Sequence, residues 1–183
     1  PEDWSEEKTR NETDIIKTRV TKMIEQQLRD DPYAQEAFSK LLRQVIEEAE
    51  KEFDHPLKQH MLFREFEEQV EARRLDEIPD VFSGNKHAQA YYGVFKKLLP
   101  EAFSITNQQN QDKWIELAFE VDRSVMSSVA ENSINPQNIE ADIRKKLLPM
   151  MFQACRSIGG GVDQAKIMVE MVVQVVRLGW KAV

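Results

Sequence analysis

Residues 135–149 read NPQNIEADIRKKLLP, and the fold class turns on this stretch. Asn135 can cap a helix, and Pro136 fits its first position, where a missing N–H costs nothing. Glu140 and Asp142 fall early, where the helix dipole favours negative charge. Arg144, Lys145 and Lys146 fall late, where it favours positive charge. Ile139, Ile143 and Leu147 recur every four residues and make one apolar face. Pro149 lacks the amide proton that another turn needs, so the helix is expected to end or kink near Leu148. Ser157–Gly161 is a break. The segment beyond it, Val162–Arg177, is so rich in valine that a strand is conceivable. Its polar residues decide otherwise: Asp163, Lys166, Glu170, Gln174 and Arg177 recur at three and four, never at two. That spacing predicts a mostly buried helix with a thin wet stripe.

The same reading extends back toward the start. Pro1–Arg10 is polar apart from Trp4 and reads as a loosely held lead-in. From about Asn11 to Arg29, Ile16, Val20, Met23, Ile24 and Leu28 form a helical stripe. Asp31-Pro32 restarts a helix with Ala34, Phe38, Leu41, Leu42, Val45, Ile46, Ala49 and Phe53 inward. Asp54-His55-Pro56 starts a third, with Leu57, Met61, Leu62, Phe66 and Val70 inward. Short connections predict that successive helices are antiparallel neighbours. Leu75–Gly84 is the best internal boundary, because it holds Pro79, Gly84 and turn-prone aspartates. Asn85 then caps a helix carrying Ala88, Tyr91, Tyr92, Phe95, Leu98 and Leu99, which stops at Pro100. Ser104–Asn110 reads as a polar loop. A long helix from about Gln111 to Ala130 follows, with Trp114, Leu117, Ala118, Val121, Val125 and Val129 inward. The expected fold is therefore all-α: an irregular bundle of about six to seven helices, possibly in two sub-bundles, with domains at 1–78 and 79–183.

Composition narrows the function. The 183 residues are 41% hydrophobic and 31% charged, with a net charge of -7. That balance fits a soluble helical protein and argues against a general nucleic-acid binder. The charge is unevenly divided. Residues 84–183 carry 12 Lys and Arg against 10 Asp and Glu, whereas residues 1–83 carry 13 against 22. Any phosphate contact is expected from the second half. Glu170 and Gln174 interrupt the longest apolar runs, so no membrane span is expected. The chain opens at Pro1 with no charged-then-apolar leader, and is expected to be a fragment or processed piece. A single cysteine, Cys155, allows no internal disulfide and suits a reducing cytoplasm.

No motif of catalysis emerges. His55 and His60 are five residues apart and fall on different helix faces, so they make no metal pair. The crowd Glu65, Glu67, Glu68 and Glu71, flanked by Arg64, Arg73 and Arg74, reads as a solvated face rather than an acid–base pair. Pro79-Asp80 lacks the acidic-x-Lys that a nuclease core would need. Gly159–Gly161 lacks the Gly-Lys-Ser/Thr of a phosphate loop and reads as a helix cap or hinge. Cys155 has no base near it in sequence and reads as an inert thiol. The basic residues remain. Arg144, Lys145 and Lys146 fan out by about 100° each around a helix, and Lys86, Lys96 and Lys97 lie in the same half. Tyr91 beside them fits an interface anchor about as well as a core residue, because tyrosine keeps one wet end.

Two groups of segments carry a resemblance. NPQNIEADIRKKLLPMMF, followed by a break and DQAKIMVEMVVQVVRLGW, resembles the extreme C-terminus of the R subunit of type I restriction enzymes. EEKTRNETDIIKTRVTKMIEQQLRDDPYAQEAFSKLL, FREFEEQVEARRL and NKHAQAYYGVFKKLLPE are similar to the helical region that follows the motor in that family. The resemblance spans nearly the whole chain, although none of its motifs is catalytic, and Gly159–Gly161 makes a longer break than the family pattern.

The resemblance implies a non-catalytic fragment. The parent subunit would be an ATP-dependent DNA translocase and site-specific deoxyribonuclease, using ATP and Mg in a motor that this chain lacks. Its helical C-terminal part would dock on the methyltransferase core and contact double-stranded DNA. On this view residues 1–78 are motor-adjacent and residues 79–183 form the docking domain. The expected contacts are Lys86, Tyr91, Lys96, Lys97, Arg144, Lys145 and Lys146, with no catalytic residue, metal or cofactor in the fragment itself. The rival is a self-standing helical adaptor that binds protein without DNA.

Overall fold

The chain was described from a computed structural model covering residues 3–104 and 108–179. Eight α-helices account for most of it: α1 (Glu6–Lys22), α2 (Pro32–Lys51), α3 (Pro56–Glu71), α4 (Lys86–Leu98), α5 (Pro100–Ser104), α6 (Gln108–Glu131), α7 (Ile139–Arg156) and α8 (Val162–Gly179). Among the described residues there is no strand, and the fold is an all-α bundle. Two compact units divide the chain. Pro1–Arg29 joins Ala34–Ser83, and Asp30–Tyr33 joins Gly84–Val183. The units part at Ser83–Gly84, inside the Pro- and Gly-containing boundary segment.

In the first unit, the lead-in is ordered earlier than its polarity suggests. Ser5 caps α1 by accepting the Lys8 amide proton at 3.2 Å. Ile16, Val20, Met23, Ile24 and Leu28 are all buried, as their stripe predicts. After Lys22 the helix widens into a π-turn over Met23–Gln27 and tightens into a 3₁₀ turn over Leu28–Asp30. The Gln35 amide donates to the Ile24 and Glu25 carbonyls at 3.1 and 3.3 Å, supplying partners where the regular ladder is disturbed.

The contacts between α1 and α3 advance together along both helices. Thr13 meets His60, Arg19 pairs with Glu67, and the Arg73 guanidinium reaches the Gln27 carbonyl. The two helices are thus parallel and pack directly on each other, with α2 against α3. Phe38 of α2 meets Phe66 edge-on at 6.2 Å, and Gln59 donates to the Ala49 carbonyl at 2.6 Å. The inward face of α3 differs from expectation. His60, Phe63, Phe66, Glu67 and Val70 are buried, while Leu57 and Met61 are exposed, as is Phe53 before the helix. Leu41, Leu42, Val45 and Ile46 on α2 are half-buried.

The second unit is built around α4. Asn85 caps it as expected, accepting the Ala88 amide proton at 3.0 Å. Every residue from Ala88 to Phe95 is buried. Helices α6 and α8 both pack against it. Phe95 and Phe103 meet the Trp114 ring at 5.5 and 5.8 Å. Trp114, Leu117, Ala118, Val121 and Val125 are buried on α6 as their spacing predicts, with Val129 half-buried. Pro100 does not merely stop α4; it opens the short α5. Helix α6 begins at Gln108, so the expected polar loop is shortened, and its residues 105–107 lie outside the described residues.

Residues 135–149 fold with two departures. Asn135 makes no side-chain cap; Pro136–Asn138 form a 3₁₀ turn and α7 starts at Ile139. Pro149 sits inside α7, which runs on to Arg156. The carbonyl left without an amide partner is that of Lys145, four residues back. Both Pro149 and Lys145 are exposed, so water can reach this point in the ladder and the helix need not end. Helix α7 ends in a Schellman turn. Gly160 N–H donates to the Cys155 carbonyl at 2.8 Å, Gly159 N–H donates to the Arg156 carbonyl at 3.2 Å, and Gly159 has φ 81°. The glycine triplet is therefore a helix cap. The valine-rich segment beyond it is helix α8, and its predicted wet stripe is exposed at Asp163, Lys166, Glu170, Gln174 and Arg177.

Candidate partner and nucleic-acid interface

The seven residues expected at an interface take four different environments. Tyr91 is fully buried at 0% exposure in the middle of α4. It is a core residue and cannot touch DNA or a partner while the unit is folded, which corrects the expectation of an interface anchor. Its neighbours explain the burial: α4 is covered on several sides, so the side chain has no wet end to offer.

Arg144 and Lys146 are engaged within the unit. Arg144 reaches across to α8, where Nε and Nη2 donate to the Glu170 carboxylate at 2.6 and 3.1 Å. A weaker contact joins it to Glu140 one turn earlier at 3.5 Å. Glu140 is in turn gripped by Arg177 of α8 at 2.9 and 2.8 Å. These two crossed bridges span the antiparallel pair α7–α8. The Arg144 hydrogen bond holds the Glu170 carboxyl below its ordinary value, and Arg177 does the same to Glu140. Lys146 turns the other way, toward α6, with Glu131 at 2.9 Å, Asp142 at 3.0 Å and the Ser127 hydroxyl at 3.1 Å. Glu131 and Asp142 raise its pKa through hydrogen bonds, which keeps it charged but directed inward. Moving Arg144 or Lys146 onto a phosphate would break these pairs. Their first role is to join α7 to its neighbours.

Lys96 is half-buried, its ammonium 5.8 Å from the Tyr33 ring centre and 5.3 Å from that of Phe103. It is held by aromatic faces. Lys86, Lys97 and Lys145 have exposed side chains. Lys86 and Lys97 mark the two ends of α4, and Lys145 lies on the outer side of α7. The basic triplet thus sends its members to three destinations, as their angular spacing requires.

In the sequence Arg177 is legible only as part of a wet stripe, and nothing marks Glu140 and Glu170 as the carboxylates of two crossed bridges. The usable local signal was Glu140-x-x-x-Arg144, the favourable order for a helical pair. Among the described residues, no group of three or more His, Cys, Asp or Glu could hold a metal ion. Cys155 is buried, with Sγ 3.2 Å from Met168 Sδ, and burial pushes its thiol pKa up. Among those residues no helix is long and apolar enough to cross a membrane. The chain matches no known protein family, no characterised protein and no solved structure.

Proposed function

We propose that this chain is a non-catalytic assembly domain of the R subunit of a type I restriction enzyme. It docks the motor-bearing subunit onto the methyltransferase core in the cytoplasm and adds weak contacts to double-stranded DNA. The observation that carries the reading is the sequence resemblance at 135–180. Its described part is one antiparallel helix pair, α7–α8, latched by the Arg144–Glu170 and Arg177–Glu140 bridges. A rigid, preformed surface suits docking because little ordering entropy is lost on association. ATP and Mg would belong to the motor of the parent subunit, outside this chain.

The DNA part of the reading narrows to Lys86, Lys97 and Lys145, whose side chains are exposed. Burial of Tyr91 and internal pairing of Arg144 and Lys146 favour a second reading, a helical adaptor that binds protein alone. A pull-down of the chain with methyltransferase core, with and without DNA, at low and moderate salt separates them. Retention without DNA supports docking, and a salt-sensitive gain on adding DNA supports the lysines. Retention that ignores both salt and DNA supports the adaptor. No retention in any condition removes the assembly role.

A further inference from the structure

We propose that a groove beside α3 in the first unit is a docking site for a basic, apolar-flanked segment of a partner protein. The segment would lay an aliphatic stem on Leu57 and Met61 and present a lysine or arginine N–H to His60. This proposal stands apart from the restriction-enzyme reading. The groove has a volume of about 520 Å³. Its apolar lining is unusually open to water, with Leu57 37% and Met61 51% exposed, whereas His60 is only 3% exposed.

The hydrogen bonds around His60 determine which kind of group it can take. The Thr13 hydroxyl donates its proton to the Thr9 carbonyl at 2.8 Å. Toward His60 Nδ1, 3.5 Å away, the Thr13 oxygen can therefore only accept. That places the imidazole proton on Nδ1 and leaves Nε2 as an acceptor. Nothing among the described residues donates to Nε2. Burial, and then the nearby Arg64, push the imidazole pKa down against the opposing pull of Glu12, so the ring stays neutral near pH 7. Trp4 meets the ring at 5.4 Å and 69°, fixing its plane. His60 lines a groove that water can enter, and an incoming N–H can take the place of water at Nε2.

The surrounding charge selects the donor. Among the described residues, Asp3, Glu65 and Glu68 line the groove together with Arg64, which lies 3.7 Å from Glu68. The first 83 residues carry 13 basic against 22 acidic side chains. Nucleic acid and acidic peptides are repelled by such a surface, and cationic segments are drawn to it.

The test uses the full 183-residue chain and the peptides acetyl-LKLKL-amide and acetyl-LELEL-amide, followed by ¹⁵N NMR. The lysine peptide should move the His60 Nε2 signal and backbone signals between Leu57 and Glu68, and the glutamate peptide should not. Met61→Lys and Glu65→Lys, both at exposed positions, should each weaken binding about tenfold or more. His60→Phe should abolish it while keeping a ring beside Trp4; the two surface variants decide the matter if that protein fails to fold. The proposal is overturned by no binding at millimolar peptide, by equal binding of the two peptides, or by shifts spread over acidic surfaces that spare His60. Sedimentation showing self-association that Met61→Lys abolishes would make a second copy the occupant, and would overturn it too.

Discussion

Gly93 leaves no room for a side chain in the second unit. A Cβ placed there would lie 2.7 Å from the Tyr33 Cβ and 3.4 Å from an Asp31 carboxylate oxygen. Alanine would gain up to about 1 kcal/mol of helix propensity, but forcing a methyl group into filled space costs about 1–3 kcal/mol. Gly93→Ala should therefore destabilise the chain by about 1–2 kcal/mol on balance, read as a lowered urea midpoint with unchanged slope. An unchanged midpoint would mean that Tyr33 moves aside freely. Gly159 is demanding for a different reason. Its φ of 81° is left-handed, with open space where a Cβ would go. Only backbone strain opposes Gly159→Ala, so the loss should be about 1 kcal/mol.

At the scale of elements, α7 makes two further predictions. Pro149 removes one internal hydrogen bond on the exposed side of the helix. Pro149→Ala restores a donor for the Lys145 carbonyl, while giving the unfolded chain more freedom. The first effect is the larger, and the variant should be more stable by about 1–2 kcal/mol in thermal or urea unfolding. A loss of stability would show that the helix path depends on the proline. The crossed bridges between α7 and α8 set a pH dependence. Glu140 and Glu170 have folded pKa values held below their ordinary one by Arg177 and Arg144. Their contribution is therefore complete above the unfolded glutamate value of about 4.3 and is lost as pH falls through the lower folded values. These side chains are partly exposed, at 39% and 52%, so the bridges contribute modestly. Glu140→Gln with Glu170→Gln should cost about 1 kcal/mol at pH 7 in low salt. The difference from wild type should shrink below about pH 4 and in high salt.

The same elements show what the sequence makes legible. The wet stripe of α8 could be read because burial on both flanks leaves polar residues only where the helix faces water, at its own period. Helix α3 was ambiguous. It carries more apolar residues than one face can hold, and periodicity cannot say whether Leu57 and Met61 or Phe63 and Phe66 turn inward. The fate of Arg144 and Lys146 was hidden for another reason. Glu170 lies 26 residues from Arg144, and Glu131 lies 15 from Lys146. His60 likewise meets Thr13, 47 residues away. A residue's identity does not record which distant partner the fold supplies.

For the whole molecule, charge separates two kinds of recognition. Residues 1–83 are strongly acidic, and residues 84–183 are close to neutral with a slight basic excess. Arg144, Lys146 and Arg177 in that second part are paired to carboxylates, so the count of basic residues overstates what a phosphate could meet. If DNA binds, the exposed side chains of Lys86, Lys97 and Lys145 are the groups to test. Each phosphate contact contributes about 0.9 to the slope of log affinity against log salt. Lys86→Gln with Lys97→Gln and Lys145→Gln should flatten that slope by about 2 to 3, measured by fluorescence anisotropy on duplex DNA across a salt series. Arg144→Gln should leave the slope unchanged and instead lower the melting temperature, because it breaks a bridge within the fold. Flattening by Arg144→Gln alone would mean that the α7–α8 bridge opens when DNA arrives. A slope untouched by the triple variant would move the phosphate contacts away from these lysines, and the absence of any binding to the duplex would leave protein docking as the role to be measured.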